Sequence, residues 1–149
     1  MDLIDETFIA VPPERLVPIV ADPGRWERWW PDQHLQVFMD RGIKGMRWAV
    51  SGAFVGSSEI WLEAFADGTI VHYYLRANPT AKASQTQPDP PPDTLAGRRA
   101  AGRLRKRAAT SWKVNVWALK DEMESAAASG AAADVVGDSG SAAPPRGQS

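Results

Sequence analysis

The side chains able to do chemistry are few. No cysteine occurs among the 149 residues. That removes disulfides, thiolate zinc sites and cysteine nucleophiles together. The two histidines, His34 and His72, stand far apart and neither lies in an HExxH-like motif, so no metal site is expected. No P-loop, dinucleotide fingerprint or nucleophile elbow is present, and no cofactor is expected. The glycines of GMRWAVSG and VSGAFVGSSE fall inside a run of strands, not between a strand and a helix where they would cradle phosphate. Ser57 and Ser58 have no nearby His and Asp in triad order.

Three side chains remain. His72 could act as a general acid or base oriented by Glu63, provided both face a cavity; the bland alternative is a surface partner of Glu63 across two strands. His34 begins a strand and reads as a surface residue near a cavity mouth. Tyr73 lies on an apolar face, where its hydroxyl needs either a ligand or a polar atom of the core. This is a thin set for an enzyme, and no catalytic residues are assigned.

These residues sit on elements that the patterning defines. Residues 2–11 carry Ile4, Phe8, Ile9 and Val11 in a loose alternation and read as a strand. Pro12-Pro13-Glu14 opens a helix, with proline in the first turn and an acid at the positive end of the dipole; Pro18 kinks or shortens it. Asp22 caps a second short helix from Pro23 to Trp30, which Pro31 ends. Trp26, Trp29 and Trp30 cannot all point inward from one short helix, so at least one is expected to be exposed or to cover a cavity mouth.

From 34 to 77 the period becomes two, with strands at 34–40, 44–51, 57–65 and 69–77. Asp67-Gly68 is the strongest short hairpin signal in the chain. A two-residue loop there predicts a positive φ at Gly68. It pairs Leu62 with Tyr73 and Ile60 with Leu75 on an apolar face, and Glu63 with His72, Trp61 with Tyr74 and Glu59 with Arg76 on the other. A slip of one residue would carry both charge pairs into the core, so the faces are well specified.

Residues 78–93 form a proline-rich loop, and Asp93 or Thr94 caps a long helix over 94–124. Its apolar stripe is Ala101, Leu104, Ala108, Trp112, Val116, Leu119 and Met123. The domain is thus expected over 1–125. The Ala-, Gly- and Ser-rich segment 126–149 reads as a disordered tail.

The order of strand, two short helices, antiparallel meander and long helix resembles the START-like (SRPBCC) superfamily. It is most similar to the polyketide cyclase/dehydrase and lipid-transport branch. The carrying residues are Ala10-Val11-Pro12-Pro13-Glu14-Arg15-Leu16; then Ala21-Asp22-Pro23 with Trp26, Trp29, Trp30 and Pro31; then Gly56; then Trp61-Leu62-Glu63 ahead of Asp67-Gly68-Thr69. The resemblance spans residues 2–124. It implies an α+β helix-grip fold, in which an antiparallel sheet wraps around the long helix and leaves a cavity for lipids, polyketides, sterols or hormones. Only five strand segments are legible. A hairpin usual in the family has no counterpart between Asp40 and Lys44.

The first functional expectation is therefore binding or carrying of a small hydrophobic ligand, lipid or polyketide-like. Trp48, Val50, Leu62, Tyr73, Leu75, Leu104, Ala108 and Trp112 would line the cavity, with Trp29, Trp30 and His34 at its mouth. Plain core packing would use the same residues. A cyclase or dehydratase is the alternative, and a protein-interaction domain without an open cavity the third. Arg98, Arg99, Arg103, Arg105, Lys106 and Arg107 form a basic helical segment. Its ordinary reading is a solvated face. Its functional reading is weak contact with an anionic membrane surface, with nucleic acid ranked last because no base-reading motif accompanies it. Net charge is −1, no basic-apolar leader opens the chain, and no stretch approaches the roughly 20 apolar residues of a membrane span. A cytoplasmic location is expected.

Overall fold

The computed structural model describes residues 1–138. Five strands, β1 (Asp2–Ile9), β2 (Gln33–Asp40), β3 (Gly45–Gly52), β4 (Phe54–Phe65) and β5 (Gly68–Pro79), form one antiparallel sheet in the order β1-β5-β4-β3-β2. Helices α1 (Pro13–Val20) and α2 (Pro23–Trp29) link β1 to β2, and α3 (Leu95–Asp138) follows the sheet. The α+β class, the five strands and the order of elements agree with the sequence reading. The two helix starts obey local chemistry. Asp22 Oδ1 accepts the Gly24 N–H at 2.9 Å, and Thr94 Oγ1 accepts the Gly97 N–H at 3.0 Å. Each satisfies a donor that a helix leaves orphaned.

The hairpin register differs from expectation by two residues. The turn is Ala66-Asp67: Phe65 faces Gly68 and Ala64 faces Thr69. Ala66, not Gly68, takes the positive φ, at +50°. Gly68 is required for space instead, since a Cβ there would stand 2.3 Å from the Ile9 carbonyl oxygen and 2.7 Å from the Phe8 ring. Tertiary crowding against β1 outweighs the local turn preference. The direct pairs become Leu62 with Val71, Ile60 with Tyr73, Trp61 with His72 and Glu59 with Tyr74. A shift of two is even, so each side chain keeps its expected face.

Where the resemblance drawn from the sequence implies a further hairpin, a 3-10 turn (Gly42–Lys44) closes β2 onto β3. β2 is left as an edge strand, with Phe38 71% exposed. The segment expected as a loop, 78–93, begins later than read, because β5 continues to Pro79. The loop is pinned across the β3–β4 reversal: the Gly52 N–H donates to the Gln85 carbonyl at 2.9 Å, and the Thr80 hydroxyl donates to the Gly52 carbonyl at 2.7 Å.

The core lies on one face of the sheet. Met46, Trp48, Ile60, Leu62, Val71, Tyr73 and Leu75 pack with Leu16 and Val20 of α1 and with Trp112, Val116, Leu119 and Met123 of α3. Each large apolar side chain so buried stabilises by about 1.5–3 kcal/mol. Polar contacts fix α3 against the edge strand β1. Asp5 accepts from Trp112 Nε1 at 3.0 Å and from Lys113 Nζ at 2.7 Å, and Lys120 Nζ donates to the Phe8 carbonyl at 2.8 Å.

The helix does not stop at 124. It continues through the alanine-rich segment to Asp138, so the tail expected from 126 is helical that far. Alanine has the highest helix propensity, and Ala127 still packs partly against the core. Residues 139–149 of the expected tail lie outside the described residues.

Candidate ligand-binding groove

Trp26 and Trp29 stand three apart on α2 and share its inward face. Trp30 is the residue that ends the helix. Its φ of −135° and ψ of 70° leave helical geometry, so its ring turns inward instead of following the helical step. All three tryptophans are consequently buried, and Trp30 is only 5% exposed. Of the two expected alternatives, exposure fails at this backbone turn, while Trp29 and Trp30 both border an opening.

The Trp30 ring stacks on Tyr73 (5.6 Å between centroids, 19° between planes) and on Trp112 (5.8 Å, 10°). Tyr73 and Trp112 stack on each other at 4.3 Å. Trp26 and Trp30 meet Trp48 edge-on at 5.3 and 5.9 Å. Such pairs contribute about 0.5–1.5 kcal/mol each beyond their burial. Burial pushes the Tyr73 hydroxyl well above the ordinary tyrosine value, opposed in part by a hydrogen bond with Trp30. Trp48, Val50, Leu62, Tyr73, Leu75 and Trp112 thus sit in packed interior. Two polar atoms within it, Trp48 Nε1 and Ser58 Oγ, have no partner among the described residues.

The open space lies beside this aromatic plug. A groove of about 340 Å³ runs between the α2–β2 junction and the first half of α3. Trp29, Trp30, Phe54, Leu104 and Ala108 provide its apolar walls; Pro31, Asp32, Gln33, Arg107 and Ser111 complete the lining. Four of the cavity and cavity-mouth candidates therefore come together here, namely Trp29, Trp30, Leu104 and Ala108. Phe54 and Gln33 were missed. Phe54 hides in a glycine-flanked reversal that reads as a turn, and nothing in the sequence marks Gln33. Its side-chain oxygen is buried in the groove and accepts no hydrogen bond from a described residue. Asp32 is exposed and the Arg107 guanidinium offers only hydrogen-bond donors. Among the described residues the groove holds no buried acid–base pair.

The histidines lie elsewhere. His34 is exposed at the start of β2 and is not part of the groove lining. His72 is on the opposite face of the sheet, as the pairing argument predicts. It is buried, not at the surface as read. Trp61 stacks on it at 4.3 Å, with Tyr74 at 6.2 Å on β5. Its Nε2 is 2.7 Å from Glu63 and its Nδ1 is 3.3 Å from Glu6. Glu63 is a diagonal partner, and Glu6 arrives from β1, opposite His72 in the register. A shallow hollow on this face is crossed by ion pairs, Arg47 with Glu59 at 3.4 Å and Arg76 with Asp2 at 3.2 Å, so its charges are mutually satisfied.

The architecture has counterparts among solved structures. The chain is similar to Aha1 from Colwellia psychrerythraea, whose dimer was solved in solution, with a TM-score of 0.52 and 16% identity over 81% of this chain and 94% of that one. It is also similar to protein Ms6760 from Mycobacterium smegmatis, with a TM-score of 0.53 and 14% identity over 82% and 92%. This is a helix-grip, START-like fold. Identity this low carries the fold alone. No family model matches the sequence, and no curated protein matches it. Within the START-like frame, the present chain fills the sheet–helix interior with Trp30 and keeps its opening at one end. No helix among the described residues is long and apolar enough to cross a membrane.

Proposed function

We propose that the protein binds a small, mainly apolar molecule in the groove between Trp29, Trp30, Phe54, Leu104 and Ala108. The observation that carries this is the groove itself, about 340 Å³ with apolar walls and one buried, unpaired acceptor at Gln33. Ligand sites are typically concave and mostly apolar, with a few placed polar groups, at roughly 300–1,000 Å³. The volume is at the small end. It suits a molecule of one or two rings or a short chain bearing one hydrogen-bond donor, better than an enclosed lipid or folded polyketide. Arg107 and Ser111 at the rim favour a polar or anionic outer end.

The test is titration with phenylnaphthylamine, a neutral apolar probe that brightens when it leaves water. Saturable binding that is lost in Ala108→Trp, in a protein that still melts cooperatively, supports the proposal. Absence of saturable binding to the folded wild type sinks it. Native mass spectrometry of the protein purified from its own host would then identify the natural occupant. A second reading rests on the filled interior: an interaction domain that uses the START-like frame as a scaffold. It predicts no probe binding and no co-purified small molecule.

A further inference from the structure

The first half of α3 carries charge of one sign. From Leu95 to Lys120 the chain holds Arg98, Arg99, Arg103, Arg105, Lys106, Arg107, Lys113 and Lys120, and neither Asp nor Glu. The whole chain has a net charge of −1, so this is a local excess. Arg98, Lys113 and Lys120 have acidic partners in Asp93, Asp5 and Glu124. Among the described residues, no such partner stands within 4.0 Å of Arg99, Arg103, Lys106 or Arg107.

Trp112, Val116 and Leu119 face the sheet. Arg99, Arg103, Lys106, Thr110 and Trp117 follow steps of three and four on the other side of the helix. Together they make an outward stripe about 27 Å long at 1.5 Å per residue. Trp117 is 58% exposed and Val114, beside it, 63% exposed. The Lys113 ammonium stands 5.8 Å over the Trp117 ring. Cations over one length of the stripe thus run into an exposed indole and valine over the next.

We propose that this outward face of α3 docks on an anionic lipid bilayer, with Arg99, Arg103 and Lys106 on the headgroups and Trp117 and Val114 at the interface. A polybasic helix is drawn to anionic leaflets, and tryptophan settles where one end of the ring is apolar and the other wet. A nucleic acid would be served by the cations but not by Val114. No aromatic side chain stands among the cations of 95–111 to stack a base. The proposal is independent of whether the groove is occupied.

The experiment is co-sedimentation of the full chain with phosphatidylcholine vesicles, with and without phosphatidylserine, at low and high salt. Binding is expected only with phosphatidylserine, weakening as salt rises. Tryptophan emission should shift to the blue on binding, and Trp117→Ser should abolish the shift. Each cation removed should weaken binding roughly fivefold, so Arg99→Gln/Arg103→Gln/Lys106→Gln should lose on the order of a hundredfold while melting like wild type. Trp117→Ser provides a second, charge-neutral variant. Failure to bind phosphatidylserine vesicles at low salt overturns the proposal, as does undiminished binding by the triple variant. Tighter, salt-dependent binding to an RNA or DNA oligonucleotide than to the vesicles would assign the face to nucleic acid and overturn it equally.

Discussion

The two halves of α3 are built from the same apolar stripe and end in different states. From Trp112 to Met123 the stripe is sealed against the sheet: Trp112, Val116, Leu119 and Met123 are all buried. Its polar neighbours are tied down, Lys113 to Asp5 and Arg25 of α2 to Glu122. From Ala101 to Ala108 the stripe continues in register, but Leu104 and Ala108 are only half-buried and wall a groove. Among the described residues, several of the cations around them have no acidic partner. A helical period specifies which side chains share a face. It does not specify whether anything lies opposite. The second half meets the sheet, while the first half meets its end, where Trp30 and Phe54 leave a gap.

That contrast can be broken most forcefully in the sealed half. Trp112→Ala removes a ring stacked on Tyr73 and Trp30 and should cost about 3–5 kcal/mol, read as a fall in the urea midpoint. Leu104→Ala, in the open half, should cost well under half of that and mainly weaken probe binding. Equal losses from both would mean that the groove is packed core. Trp30→Ala should be nearly as costly as Trp112→Ala. It should also admit a larger apolar probe, because the ring that packs beside the stacked Tyr73 and Trp112 would be gone.

Ala108→Trp sharpens the comparison further. In a groove the new ring occupies existing space with little change in stability. In a packed core it would cost roughly 1–3 kcal/mol, so a melting curve and a probe titration on one variant decide between them.

Titration separates the regions too. Buried Tyr73 stays protonated in the folded protein, whereas the unfolded chain ionises near the ordinary value of 10.0. A raised folded pKa is a contribution present below the unfolded value and lost as pH rises above it. Urea midpoints should therefore fall on going above that pH, and Tyr73→Phe should flatten the fall. Glu122 shifts oppositely: the hydrogen bond from Arg25 lowers its pKa. Its contribution is present above the ordinary glutamate value and is lost as pH falls through the depressed one. Glu122 is about half exposed beside a mostly covered Arg25, so solvent screens the pair and Glu122→Gln should cost no more than about 1 kcal/mol.

The smallest effect is expected from ending the chain at Ser125. Of the described residues removed, Ala127 packs partly against the core. A melting temperature within a degree or two of wild type, about what a few tenths of a kcal/mol would produce, is the expected result. A large drop would mean that the helical extension supports the core.

Much of the architecture was legible because it rests on short-range rules. Alternation assigned the faces of β4 and β5 correctly even though the hairpin register was off by two, since parity survives an even shift. Caps at Asp22 and Thr94, and the apolar stripe of α3, are written in neighbouring residues. The missed features each depend on a distant contact. Gly68 is shaped by Ile9 and Phe8 of β1, not by its own turn. His72 is buried because Trp61, Tyr74 and strands on both sides cover it, which no pair rule predicts.

By itself, then, the sequence determined the START-like order of elements, the faces of the strands and the run of basic residues on the long helix, because period, capping and charge are local properties. Tertiary structure alone decided where the space is. Trp30 leaves the helix at its last residue and fills the interior that Tyr73 and Trp112 would otherwise line. The opening is thereby displaced to Phe54, Leu104 and Ala108. A cavity is the volume that side chains fail to fill. It depends on how elements distant in the chain converge, and one backbone turn at Trp30 was enough to move it.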